Sequence, residues 1–211
     1  MLPSPIPIFP LPNAVLFPNV CLPLHIFEAR YRRMVADALS GDRIIGMTLL
    51  RPGFERDYEG RPPIYDIGCA GVITHAERLA DGRYDIVLRG IEKFRVTAED
   101  ATRVYRLAHI DAIDETVADV ERAPLRQQRH RLEAVLAATL ERGGGDPRFP
   151  PTVADEDVVN ALAQYVQFDP LERQALLERN GVLDRCHGLI ELLEMRTLSP
   201  GGSGWKDRSV H

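Results

Sequence analysis

VCLPLHIFEARYRRMVADAL, residues 20 to 39, changes its hydrophobic period half-way along. Val20, Leu22, Leu24 and Ile26 fall on one face and Cys21, Pro23 and His25 on the other, the alternation of a half-buried strand. Pro23 has no N–H to give to a ladder, so this strand belongs at an edge or a bulge. From Tyr31 the period lengthens. Tyr31, Met34, Val35, Ala38 and Leu39 form one helical stripe, and Arg33 and Asp37 stand four apart on its flank, where they can pair. Ser40-Gly41 is the expected stop, with Gly41 in a left-handed cap. A strand that runs straight into a helix makes a rigid corner, and the rest of the chain is arranged about it.

Upstream, residues 1 to 19 are proline-rich and read as a stiff, extended lead-in with one short strand near residues 6 to 9. Downstream, RIIGMTLL (43 to 50) is a buried strand. RPGFERDYEGRPP (51 to 63) is a long surface loop carrying Phe54 and Tyr58. Those two aromatics either fold back on the rim of the sheet or form a recognition surface, as residues on loops held by a rigid scaffold often do. Residues 65 to 79 and 83 to 96 are strands joined by Ala80-Asp81-Gly82, with Asp-Gly as the core of a tight turn. Gly90 interrupts the second strand and predicts a bend or bulge. A last strand, 105 to 113, brings the number to about six, and closing that sheet would remove its exposed edges.

Two blocks, PIFPLPNAVLFPNVCLPLHIFEARYRRMV (7 to 35) and YDIGCAGVITHAERLADGRYDIVLRGIEKFRV (65 to 96), resemble the Lon N-terminal, substrate-binding domain family in order and spacing. The second holds the glycine pair Gly68 and Gly71, the DGRY turn and a strand reaching Arg89-Gly90. The resemblance implies an α+β fold: a PUA-like small β-barrel with one helix, followed by a C-terminal helical bundle. It also implies polypeptide binding, which in the full-length proteases is attached to ATPase and protease domains.

The alternation ends in an acidic stretch, 114 to 123, which sets expected units at 1–115 (the β domain), 116–199 (the helical bundle) and 200–211 (a disordered tail holding Trp205). Leu125, Leu132, Val135, Leu136, Thr139 and Leu140 line a long helix stopped by Gly143-Gly144-Gly145. Thr152, with Asp155 three residues on, is the expected cap of a helix burying Val158, Leu162, Tyr165 and Val166. Asp169-Pro170-Leu171-Glu172 starts another, which ends at Asn180-Gly181. Leu183, Cys186, Leu189, Ile190 and Leu193 line the last.

The 211 residues are 45% hydrophobic and 27% charged, in the range of ordinary soluble proteins, and no run is long enough to span a membrane. Cys21, Cys69 and Cys186 are odd in number and far apart, and read as free, largely buried thiols of a reducing cytoplasm. A net charge of −5 argues against binding driven by phosphate neutralisation. The cations are 24 arginines against Lys93 and Lys206, a bias typical of a GC-rich coding genome. A Ser–Lys dyad of the Lon type needs a buried lysine, and neither position promises one. P-loop, GxSxG, HExxH, CxxC and EF-hand motifs are missing from the sequence, and the six histidines share no metal-ligand spacing. No enzyme activity, cofactor or metal is therefore expected.

In the F-E-x-R-Y signature, Glu28 suits the helix dipole and Arg30 suits loop carbonyls beneath the proline-rich lead-in. Arg30 is also a candidate for lining a peptide groove. Arg122, Arg126, Arg129 and Arg131 make a basic stripe, the best feature for an RNA-binding PUA-like module, but no stacking aromatics interleave with it. The preferred reading is a non-catalytic binder of unfolded or extended polypeptide. Arg30, Phe54, Tyr58 and Arg89 are its candidate contacts, with no membrane among its partners and an RNA-binding module as the alternative reading. Presenting clients to a protease, holding them, and binding one regulated partner all stay open as roles.

Overall fold

In a computed structural model of the chain, the residues described are 2–58, 60–140 and 149–198. β1 (Ile6–Leu11), β2 (Cys21–Ile26), α1 (Ala29–Leu39), β3 (Ile44–Leu49), β4 (Ile67–Arg78), β5 (Tyr84–Asp100) and β6 (Arg106–Ile113) come first. Four helices follow: α2 (Asp119–Leu140), α3 (Asp155–Tyr165), α4 (Pro170–Glu178) and α5 (Val182–Leu198). The architecture is α+β.

The strands run in the order β2-β5-β4-β3-β1-β6, and β5 pairs again with β6, so the order returns on itself as a ring. Among the described strands only β1 and β3 pair in parallel. Of the same described strands β2 pairs with β5 alone, an edge position where a strand containing Pro23 is tolerated. β5 serves two neighbours in turn: its first half pairs with β2 and its second with β6. The bend this requires falls where Gly71 faces Gly90 and Ala70 faces Glu92, leaving Ile91 as the extra residue of a bulge. Gly90 is needed there for room, since a Cβ would stand 2.1 Å from the carbonyl oxygen of Phe17.

Ile6 and Ile8 of β1, Ala70 of β4, Phe94 of β5 and Ala108 and Ile110 of β6 meet in one apolar cluster with Leu50 and Ile64. A larger cluster joins the other faces of the strands to Tyr31, Met34 and Val35 of α1. It continues without a break into Leu125 and Leu132 of α2, Val158 and Val159 of α3, Leu176 of α4 and Cys186 and Leu189 of α5. A boundary at residue 115 remains a proposal from the change of hydrophobic period, and the packing across it is continuous.

Several local expectations are corrected. The left-handed residue after α1 is Arg43, with φ 62°, while Ser40 ends the helix in a right-handed conformation. α2 begins at Asp119, ahead of Pro124, whose missing N–H breaks one bond without ending the helix. Ala154 stands at the cap of α3, and Asp155 is inside its first turn, where its carboxylate accepts a 2.9 Å bond from Arg129 Nη1. α3 buries Val158 and Leu162 as expected, but Tyr165 is exposed and Asn160 and Gln164 are buried instead. Asp169 and Glu172 do form a capping box, and Gly181 supplies the positive φ before α5. Cys69 and Cys186 are buried, whereas Cys21 is exposed because its side chain points off the outer edge strand. The triple-glycine stop and the tail, with Lys206 and Trp205, lie outside the described residues.

The cation expectations also change. Lys93 is buried in mid-strand, where Nζ donates to Glu115 Oε1 at 2.7 Å and to the carbonyl of Arg179 at 2.8 Å. Arg129 of the basic stripe is buried too, bonded to Glu133, Asp155 and the carbonyls of Phe149, Pro150 and Val153. Arg122 pairs with Asp119 and Arg131 with Glu194. Arg129 and Arg131 thus tie α2 to α3 and α5, while the Arg122 pair lies within α2 and Arg126 is exposed with Asp155 3.8 Å away.

Candidate functional site: an arginine-lined cleft

The corner quoted at the start builds one wall of a cleft of about 290 Å³. Arg30 and Tyr31 at the start of α1 face Pro10 and Leu50, while the 51–63 loop contributes Tyr58, Gly60, Arg61 and Pro62. The connection from β5 to β6 closes the other side with Arg103, Val104, Tyr105 and Arg106.

The F-E-x-R-Y signature holds the loop in place. Tyr58 donates its hydroxyl to Glu28 Oε1 at 2.9 Å, and Arg30 Nε donates to the other oxygen at 3.0 Å. Arg30 Nη2 also donates to the Tyr58 carbonyl at 3.3 Å, a carbonyl of the 51–63 loop. The guanidinium lies 4.7 Å from the centre of the Tyr31 ring and 5.4 Å from that of Tyr58, within cation–π range of both. Glu28 precedes α1 and spends its carboxylate on these contacts, not on capping the helix.

Phe54 packs edge-on to Tyr58, with ring centres 6.2 Å apart, and both aromatics rest on the smaller apolar cluster. They therefore fold back on the sheet, and Tyr58 also faces the cleft. Arg89 stands elsewhere, on β5 opposite Cys21, with Nη2 3.5 Å from Asn19 Oδ1. The structure thus brings Arg30, Tyr58 and Phe54 together and leaves Arg89 apart.

Arg61, Arg103, Tyr105 and Arg106 were missed. The only sequence signal was the crowding of Arg103, Tyr105 and Arg106 into one inter-strand turn. Arg106 is buried, with Nη2 on the Pro62 carbonyl at 2.6 Å and Nη1 3.5 Å from Glu99. Burial lowers its pKa, with Arg61 and Arg30 pushing the same way against Glu99. Tyr105 donates its hydroxyl to Asp37 Oδ2 at 2.9 Å. Burial, against the pull of Arg30, drives Tyr31 up to about 12, so it stays a neutral phenol at ordinary pH.

Among the described residues, the lining includes no carboxylate, histidine, serine or cysteine. Guanidinium donors, tyrosines and small apolar surfaces are suited to binding and offer no nucleophile–base pair. No group of three His, Cys, Asp or Glu among the described residues could hold a metal, and no described helix is long and apolar enough to cross a membrane.

A family model described as the ATP-dependent protease La (LON) substrate-binding domain matches residues 5–195. The chain belongs to this family. It is 29% identical over 198 residues to a Lon protease of Dictyoglomus thermophilum, covering 87% of this chain and 23% of that protein. A Lon protease 2 of Sorangium cellulosum is 32% identical over 161 residues, covering 72% of this chain and 19% of that protein. The chain thus spans about a quarter or less of the length of these curated relatives. Its fold is that of the N-terminal domain of a Mycobacterium avium complex Lon protease, with a TM-score of 0.68 at 18% identity, over 90% of this chain and 98% of that one. The Lon N-terminal domain protein of Xanthomonas campestris superposes with a TM-score of 0.65 at 23% identity, over 89% and 98%. As a Lon-type domain, the chain carries its F-E-x-R-Y signature beside the cleft lined by α1, the 51–63 loop and the residues around the start of β6.

Proposed function

We propose that this Lon-family chain binds unfolded or extended polypeptide and does no chemistry on it. The observation that carries this reading is the match over residues 5–195 to a family described by substrate binding. The cleft supports it, being open, built on a rigid corner and free of nucleophiles among its described lining. In this reading Arg30 and Tyr58 contact the client and Phe54 props Tyr58 from behind. Arg89, beside Asn19, is a separate point of attachment for a longer client. The ring of strands is read as a small PUA-like barrel that holds these parts in place. The free thiols fit a setting in the cytoplasm, and the proposed role is to present or hold clients for a partner, which includes a protease.

The test is to titrate a labelled, reduced, permanently unfolded protein and a labelled single-stranded RNA at two salt concentrations. The unfolded protein should bind with weak salt dependence and without ATP. RNA contacting several phosphates would lose about 10³-fold or more over a modest salt increase. Binding of the RNA alone, with that steep dependence, would replace the polypeptide reading by a nucleic-acid one.

A further inference from the structure

We infer that the cleft selects polypeptide segments that present an acidic side chain beside an apolar one; this rests on the polypeptide reading above and assigns its selectivity to Arg61 and Arg103.

The carboxylates behind the cleft are oversubscribed. Asp37 is shared by Arg33 at 3.0 Å, the Tyr105 hydroxyl at 2.9 Å and Arg103 at only 3.8 Å. Glu99 is shared by Arg106 at 3.5 Å and Arg61 at 3.8 Å. Two carboxylates thus serve four guanidiniums, and the cleft arginines hold the loosest shares. The Arg61 and Arg103 side chains are 38% and 54% exposed. Arg61 Nη1 donates to the Asp100 carbonyl at 3.3 Å. The pKa of Arg106, buried below, is lowered mainly by burial; Glu99 opposes that and Arg61 adds to it. A carboxylate arriving from outside would accept charge-assisted bonds from Arg61 and Arg103.

The rest of the lining defines the neighbour of that acid. Leu50 and Pro10 are buried apolar residues of the lining, and Val104 stands 73% exposed at the lip. The cleft volume is at the low end of small-ligand sites, roughly 300 Å³, so it takes a short segment and not a folded surface. RNA offers phosphates to the same arginines, but bases need open ring faces. Arg30 covers the rings of Tyr31 and Tyr58, Phe9 packs 4.5 Å from Tyr31, Phe54 meets Tyr58, and Tyr105 is buried. A polypeptide carboxylate is therefore favoured over a nucleotide.

The experiment measures anisotropy of the full chain with two labelled peptides, one alternating leucine with glutamate and the other leucine with glutamine. The glutamate peptide should bind about tenfold tighter, the scale of a charge-assisted bond. The preference should vanish in R61Q/R103Q and persist in R131Q, a surface arginine on α2. Should the double variant melt early, R61Q and R103Q singly decide, each losing part of the preference. Equal binding of both peptides, with the unfolded protein still bound, would overturn this inference and leave polypeptide recognition standing. Failure of both peptides and of the unfolded protein would overturn both. A preference that survives R61Q/R103Q would show that acid is read elsewhere. RNA displacing the glutamate peptide at lower concentration would show the arginines to be a phosphate site.

Discussion

Arginine does opposite work at the two ends of this molecule. At the junction of sheet and helices, Arg185 is fully buried: both Glu115 oxygens accept from Nη2 at 2.7 and 2.8 Å, Asn160 accepts from Nη1, and the Leu176 carbonyl from Nε. Its guanidinium lies 5.4 Å from the Phe17 ring, and Lys93 shares the same carboxylate. In the cleft, Arg61 and Arg103 reach their carboxylates only at 3.8 Å and stand in solvent. The contrast teaches how to read an arginine-rich chain. A guanidinium whose donors are all engaged inside the protein is framework, and one held loosely at a concave surface is available to a ligand.

The sharpest way to break this contrast is E115Q. It leaves Lys93 and Arg185 buried without their shared charge, and removing one partner of a buried ion pair costs about 3–5 kcal/mol. Urea unfolding should show a loss of that size, and a change below about 1 kcal/mol would mean that the network is solvated and the framework lies elsewhere.

G90A is next. Its methyl group would have to displace the Phe17–Pro18 backbone, which leads to the Phe17 N–H bonded to Gln164 of α3. Overpacking of this kind costs about 1–3 kcal/mol, read as a lower urea midpoint with an unchanged slope. An unaffected midpoint would show that the lead-in can shift freely against β5.

Alkaline titration probes the cleft floor. The Tyr31 phenol ionises near 10.0 when unfolded but only at about 12 when folded, because burial penalises the anion. Between those values the unfolded chain has released a proton that the folded chain keeps. The Tyr31 contribution to stability is therefore intact below pH 10 and is lost as pH rises towards 12. Y31F should flatten that fall, and an identical slope in the variant would transfer the effect to the buried thiols of Cys69 and Cys186, which burial also raises to about 12.

The smallest stability effect belongs to R61Q/R103Q. Exposed pairs at these distances contribute little, so the urea midpoint should move by no more than about 0.5 kcal/mol in stability. A loss comparable to that of E115Q would erase the distinction between framework and available arginines.

The strand-to-helix corner, the Asp-Gly turn, the bend near Gly90 and the capping box at Asp169 were legible because each depends on residues a few positions apart. Where local signals misled, a distant group had intervened. Asp155 looked like the partner of a Thr152 cap until Arg129 claimed its carboxylate, 26 residues away in the chain. Tyr165 fitted an apolar stripe, yet its hydroxyl reaches over the surface to the Cys21 carbonyl. Lys93 sat in a plain polar context, and nothing nearby announced Glu115.

By itself, then, the sequence determined the α+β class, the family signature and the position of nearly every element, since hydrophobic period and turn chemistry act within single turns and strands. It also offered Arg30, Phe54, Tyr58 and Arg89 as candidate contacts, of which the structure brings the first three together. Only the tertiary structure decided which arginines are framework and which are available, and that Arg61, Arg103 and Tyr105 complete the cleft. The pairings that settle it, Tyr105 with Asp37 and Arg185 with Glu115, join residues 68 and 70 positions apart. Hydrophobic periodicity carries no information at that separation. A guanidinium's environment is set by whichever carboxylates and carbonyls the closed sheet and packed helices bring within a few ångströms.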